Sequence, residues 1–270
     1  MNKYLLALCF PLLFASIAGA QTPDGLQAAI DGERRSAANK ARDQYRHPAE
    51  TLTFFDVKDD MTVVEIWPGG GWYTEILAPY LKGRGQLYAA HFSAESTVPY
   101  FKKSLAAFKD KIAAEPEVYG ELKLTVLQPP QKLTIAPEGS ADRILTFRNV
   151  HNWMKSGQAE TVFKAMYRAL KPGGLLGVVE HRSPTYITQD PQAVSGYVRE
   201  DYVIDLAEKA GFKLLDKAEI NANPQDTGKH PKGVWTLPPT LRLGETQRNK
   251  YLAIGESDRM TLKFIKPDYQ

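Results

Sequence analysis

Cysteine is nearly missing from this chain. The one present, Cys9, lies in the N-terminal segment, so the remainder has neither a disulfide framework nor a thiol nucleophile. A block of like charge is missing too. Lysines and arginines number 34 against 31 aspartates and glutamates, interspersed throughout, and the net charge of +3 marks no nucleic-acid-binding surface. No stretch reaches the roughly 20 apolar residues that a membrane span needs. Repeats and low-complexity tracts are also lacking, and an apolar content of 43% in 270 residues suffices for one sizeable α/β domain.

The N-terminal segment has a pattern of its own. Lys3 precedes an apolar run from Tyr4 to Ile17, and Ala18-Gly19-Ala20 has the small-x-small form of a signal cleavage site. The run contains Pro11 and is too short to anchor the chain in a bilayer. Residues 1–20 are therefore expected to be a secretory signal. The mature chain would begin at Gln21, cross the inner membrane to the periplasm and keep no stable membrane insertion.

Residues 21–51 are polar and helix-permissive and read as an N-terminal helical extension; residues 52–270 read as one α/β domain. Short apolar, partly β-branched runs at Met61–Ile66, Gly85–His91, Leu122–Gln128, Ala141–Phe147 and Gly174–His181 predict strands. Helical stretches alternate with them at Tyr73–Leu81, Pro99–Ala113 and Ala159–Leu170, the last stopped by "KPGG". Later come a helix ending at Gly211, a strand after it, and a terminal strand at Arg259–Lys266. Such alternation predicts a mostly parallel sheet with helices on both faces. The Pro- and Gly-rich stretch from Asn223 to Glu245 predicts a long loop or lid beside the site.

"VVEIWPGGGWYTEIL", Val63 to Leu77, is a strand entering a glycine turn and leaving along a helix. Gly69, Gly70 and Gly71 let a ligand approach the backbone, because no Cβ intervenes. Glu65 sits at the strand's end, where a carboxylate can accept from the loop or from a ligand's ammonium group. His91 ends the second strand, about where dinucleotide-type sites place a ribose-binding acid.

Together "EIWPGGG", "SADRILTFRNVHNW", with Asp142 near its start, and "ALKPGGLLGVVEHR" resemble the class I S-adenosylmethionine-dependent methyltransferases over about Leu52 to Pro267. The exported start, "YRHPAETLTFF" and "DRMTLKFIKP" further resemble a subgroup of secreted members. The resemblance implies a Rossmann-like fold with a mostly parallel seven-stranded sheet, and methyl transfer from S-adenosylmethionine to a small molecule. It places Glu65, Trp67, Gly69, Gly70, Gly71, His91, Gln128 and Asn149 around the cofactor. Two residues depart from the family's pattern: Trp67 stands at its first glycine, and His91 at its acid.

Five histidines are present, His47, His91, His151, His181 and His230, and three of them follow the second, fourth and fifth strands. Open α/β sheets bind ligands at those strand ends. His151 is the first candidate for a base and His181 the second, with Arg148, Asn149 and Tyr45 orienting an acceptor that carries a carboxylate or phosphate. A second reading has histidines and Glu180 ligating a transition metal on a binding protein of this fold. No H-E-x-x-H or similar spacing supports it, and no metal is assigned. "NPQD" at Asn223–Asp226 reads as a turn, and Lys102, Lys103, Lys109 and Lys111 as a solvated helix face.

Overall fold

The computed structural model describes residues 23–268, so the expected signal and its cleavage site at Ala20 lie outside the described residues. Four short helices come first: α1 (Asp24–Asp31), α2 (Ala37–Lys40), α3 (Asp43–Arg46) and α4 (Pro48–Phe54). Pro48 opens α4, where a first-turn residue has no N–H bond to lose. Strand and helix then alternate through β1 (Thr62–Ile66), α5 (Thr74–Leu81), β2 (Gln86–His91), α6 (Pro99–Ala114), the one-turn α7 (Pro116–Tyr119) and β3 (Lys123–Val126). Next are β4 (Ala141–Phe147), α8 (Val150–Lys155), α9 (Ala159–Ala169) and β5 (Leu170–His181). The chain closes with α10 (Glu200–Lys209), β6 (Lys213–Ala218), a 3-10 turn at Gly233–Thr236, α11 (Arg248–Ile254) and β7 (Arg259–Ile265).

All seven strands join one sheet in the order β3-β2-β1-β4-β5-β7-β6. β1 to β5 pair in parallel, and β7 runs antiparallel to β5 and β6. The two-residue period of a strand sends alternate side chains to opposite faces. Val64, Ile66, Ile144, Leu176 and Val178 meet α8, α9 and α10 through Trp153, Phe163, Met166 and Val203. Val63, Leu145, Phe147 and Val179 meet α1, α4 and α5 through Leu26, Ile30, Leu52, Ile76 and Leu77. Full burial of each such side chain stabilises the fold by about 1.5–3 kcal/mol. The sheet and its two helical layers are the mostly parallel, two-faced arrangement that the alternation predicted and the Rossmann-like fold that the resemblance implied.

Most boundaries shift by one or two residues, and two differ in a way that changes the reading. α4 crosses the expected limit between residues 51 and 52, and Leu26 and Ile30 are buried with the sheet, so the N-terminal segment completes one layer of the domain. β5 begins at Leu170 rather than Gly174, because Leu170 already pairs with Ala141. "KPGG" ends α9 as expected, but its glycines stay paired: Gly173 N–H donates to Lys266 O at 2.8 Å, and Lys266 N–H to Gly174 O at 2.9 Å. Among the described residues, no helix is long and apolar enough to cross a membrane.

Candidate active site

A cavity of about 620 Å³ opens at the carboxyl ends of β1, β4 and β5. Its β1 side is the glycine turn. Trp67, Gly69 and Gly71 all adopt left-handed backbone (φ +45°, +60° and +79°), a region where two glycines cost nothing and a tryptophan is strained. Gly69 and Gly70 line the cavity, and no atom stands within 4 Å of where a Cβ on either would sit. Gly71 turns inward instead: its missing Cβ leaves room for Phe108 and Thr74, so it shapes the turn without reaching the cavity. Glu65 reaches the wall, although only 2% exposed, and accepts from Thr74 Oγ1 at 2.5 Å. Burial raises its carboxyl to about 7, against the smaller opposing effects of Thr74 and Lys111.

Trp67 fills space that a first glycine would leave open. Its indole N–H donates to Leu127 O at 2.9 Å, beyond the end of β3, and its ring packs against Phe92, Phe101 and Trp153 with centroids 4.6, 5.5 and 5.7 Å away. Trp67, Phe92, Tyr100 and Phe101 thereby give the cavity an aromatic wall. His91 stands outside the cavity, contrary to the sequence reading. Phe92 N–H donates to its Nδ1 at 2.8 Å, which leaves the proton on Nε2 facing Gly69 O at 3.2 Å. Burial lowers its pKa to about 4, so a neutral imidazole fastens the glycine turn rather than accepting from a ribose. Gln128 also stays outside, turned into the loop where its backbone exchanges hydrogen bonds with Lys132. Asn149 does line the cavity, but its amide N–H groups are spent on Ile66 O (2.9 Å) and Thr146 Oγ1 (3.3 Å), tying β1 to β4.

At the end of β4 the chain turns through Arg148 (φ +62°) into α8, which puts His151 beside Glu180 of β5. His151 Nδ1 lies 3.0 Å from Glu180 Oε1. The carboxylate accepts from Nδ1–H, so Nε2 keeps its lone pair on a ring that lines the cavity. His181 stands 5.4 Å away ring to ring and meets Ser257 Oγ through Nδ1. Burial holds His181 well below the usual histidine range, helped by competition with His151 for a proton and by the positive potential from Arg259, Arg148 and Arg46. His151, Glu180 and His181 each offer a ligating atom, all within 4.8 Å of one another, a set that could hold a metal ion.

The other expected residues separate. Tyr45 packs its ring against Gly255, and only its carbonyl takes part nearby, accepting from Arg259 at 2.8 Å. His47 is the left-handed residue between α3 and α4, and His230 is bound to Asp226 at 2.8 Å away from the cavity. Asp226 N–H donates to Asn223 O, as the turn reading of "NPQD" requires. Lys102, Lys103 and Lys109 are exposed, whereas Lys111 folds back onto Glu75 and Gly70 O. The Asn223–Glu245 loop does sit beside the site, contributing Val234, Trp235, Pro238, Pro239, Thr240 and Arg242. Sequence reasoning missed Arg42, Arg46, Glu256 and Arg259. Their separation in sequence hid them, although a histidine-flanked arginine at Arg46 and the acid–arginine spacing of Glu256 and Arg259 were visible.

Strand order, the antiparallel β7 and a ligand-sized cavity at the parallel strands' carboxyl ends define the class I methyltransferase fold. No family profile and no curated protein matches the chain. Solved structures do. An S-adenosylmethionine-dependent methyltransferase from Aquifex aeolicus has a TM-score of 0.54 at 16% identity, over 84% of this chain and 93% of the other. The [4+2]-cyclase SpnF has a TM-score of 0.55 at 15% identity, over 86% and 82%. Phosphoethanolamine N-methyltransferase 2 of Haemonchus contortus, solved with S-adenosyl-L-methionine, has 0.54 at 16%, over 90% and 56%. Identities this low establish the shared fold, and the fold carries a cyclase as well as methyltransferases.

Proposed function

We propose that the protein is an S-adenosylmethionine-dependent methyltransferase acting on a small molecule. The observation that carries this reading is the His151–Glu180 pair, a base with its orienting carboxylate, on a cavity floored by the glycine turn. The likeness to methyltransferases of the same fold supports it. The residues fit the cofactor in an altered way. Gly69 and Gly70 leave open backbone, Glu65 can accept from an ammonium group, and the aromatic wall at Trp67 replaces the missing ribose acid with a face for stacking.

When bound, S-adenosylmethionine supplies an electrophilic methyl group. His151 Nε2 takes the proton that the acceptor must lose, and Glu180 holds Nδ1–H and stabilises the imidazolium that results. Asn149 keeps the ends of β1 and β4 in register around that point. Trp235, 6.0 Å from the His151 ring, covers it from the lid loop and limits water. Titrating the chain calorimetrically with S-adenosylmethionine and its demethylated product tests the reading: saturable binding that survives a chelator is expected, and absence of both would sink it.

A second reading is favoured by one observation, the His151, Glu180 and His181 atoms within 4.8 Å. It makes the chain a metal-binding protein on the same fold. Arg46, Arg148 and Arg259, which already disfavour a proton on His181, oppose a cation there too. Tight zinc binding without nucleoside binding would support this reading in place of the first.

We also infer export, on the strength of the charged, apolar and small-residue pattern of residues 1–20. Protein recovered from the periplasm should begin at Gln21; an intact Met1 would refute it.

A further inference from the structure

One end of the cavity gathers four arginines around a single carboxylate. Arg42 comes from the turn before α3, Arg46 from α3, Arg148 from the end of β4 and Arg259 from the start of β7, and all line the cavity with Glu256. Glu256 is 2% exposed; it accepts from Arg42 Nε at 2.6 Å and from Arg259 Nη2, while Arg46 Nε stands 3.7 Å away. Burial would raise its carboxyl, but the arginines outweigh burial and hold it at about 2. One ionised carboxylate therefore faces four guanidiniums, leaving three charges uncompensated.

The donors are uncompensated as well. Arg46 is 3% exposed, and neither its Nε nor its Nη1 has a hydrogen-bond partner; the same holds for Arg42 Nη2 and Arg259 Nε. Arg148, only partly exposed, is pushed down to about 10 by desolvation and then by Arg259, and it has no ion-pair partner among the described residues. Folded proteins rarely leave buried donors unmet, because desolvating them is costly without an acceptor. Guanidinium forks match the oxygens of a phosphate in both charge and geometry. The opposite end differs: Glu65 responds to Thr74 and Lys111 and not to these arginines.

We infer that the arginine end binds a phosphate monoester carried by the acceptor molecule. A dianion with three terminal oxygens meets the missing charge and the unmet donors together, where a single carboxylate meets fewer of both. The inference rests on the proposed methyl transfer only in naming the bound molecule the acceptor.

Calorimetric titration of the full chain with inorganic phosphate, at ionic strength fixed with chloride, tests it, with acetate and succinate as controls. Phosphate is expected to bind at least tenfold more tightly than either. Arg148→Gln should weaken phosphate at least tenfold without unfolding the chain, since among the described residues the Arg148 side chain makes no hydrogen bond or ion pair and its backbone bond to Val179 O is kept; phosphate should raise the Tm of the wild type and not of this variant. No saturable phosphate binding, equal binding by the variant, or tighter binding of succinate would overturn the inference. S-adenosylmethionine is titrated separately. Cofactor binding without phosphate binding removes the anion site alone, and phosphate binding without cofactor binding leaves the anion site and removes methyl transfer.

Discussion

His151 and Glu180 are joined three times over: Nδ1–H meets Oε1 at 3.0 Å, His151 N–H meets Oε2 at 3.3 Å, and the strand carrying Glu180 pairs with the strand that leads into His151. A carboxylate that accepts from the first turn of α8 and orients the helix's one histidine fixes the ring before any substrate arrives. Glu180→Gln keeps the volume and removes the charge that stabilises an imidazolium. We expect kcat for methyl transfer to fall about 10–100-fold with KM little changed. A variant with wild-type kcat would show that His151 does not act as the base.

Trp67 sets the shape of the cavity at the glycine turn. Trp67→Gly removes the indole from its cluster with Phe92, Phe101 and Trp153 and relieves a strained backbone. Large-to-small changes of this kind cost about 3–5 kcal/mol, reduced here by the relief of strain. Because the indole belongs to the wall proposed to stack on the cofactor, Trp67→Gly should weaken S-adenosylmethionine binding about tenfold by calorimetry. Unchanged affinity would mean that the indole does not stack on the cofactor.

The pH dependence of stability carries two opposed contributions. Glu65, raised to about 7 from 4.5, favours the folded state fully below pH 4.5, and that advantage declines by about 3 kcal/mol as pH rises to 7. His91, lowered to about 4 from 6.5, acts in reverse: its contribution is whole above pH 6.5 and is lost as pH falls toward 4. Urea denaturation between pH 4.5 and 7 is therefore expected to show Glu65→Gln gaining stability relative to the wild type as pH rises. His91→Gln should instead gain as pH falls. Parallel curves for variant and wild type would contradict the assignment.

Gly177 in β5 lies under Phe55, which is wholly buried. A Cβ there would come within 2.7 Å of the ring, and Phe55 cannot yield without disturbing Leu52 and Val179 beside it. Gly177→Ala is expected to destabilise the fold by about 1–3 kcal/mol in thermal unfolding, with a Tm no lower than the wild type counting against this packing.

The strands of the parallel sheet were legible because each is a short apolar run bounded by glycine, proline or a charged turn, and hydrophobic periodicity is local information. The glycine turn, His151 after the fourth strand and the lid loop were legible for the same reason. The start of β5 was not, because Leu170 and the glycines after it are held by partners on β4 and beyond β7 that no local pattern reveals.

By itself, then, the sequence determined the alternation of strand and helix, the turn that opens at Gly69 and Gly70, and the histidines at the strand ends. Tertiary structure alone decided which of those histidines share the cavity, by turning His91 onto Gly69 O and His151 onto Glu180. It also decided the cavity's charge. Arg42 and Arg46 meet Glu256 and Arg259 across more than 200 residues of chain, and electrostatic attraction and burial act on distance in space.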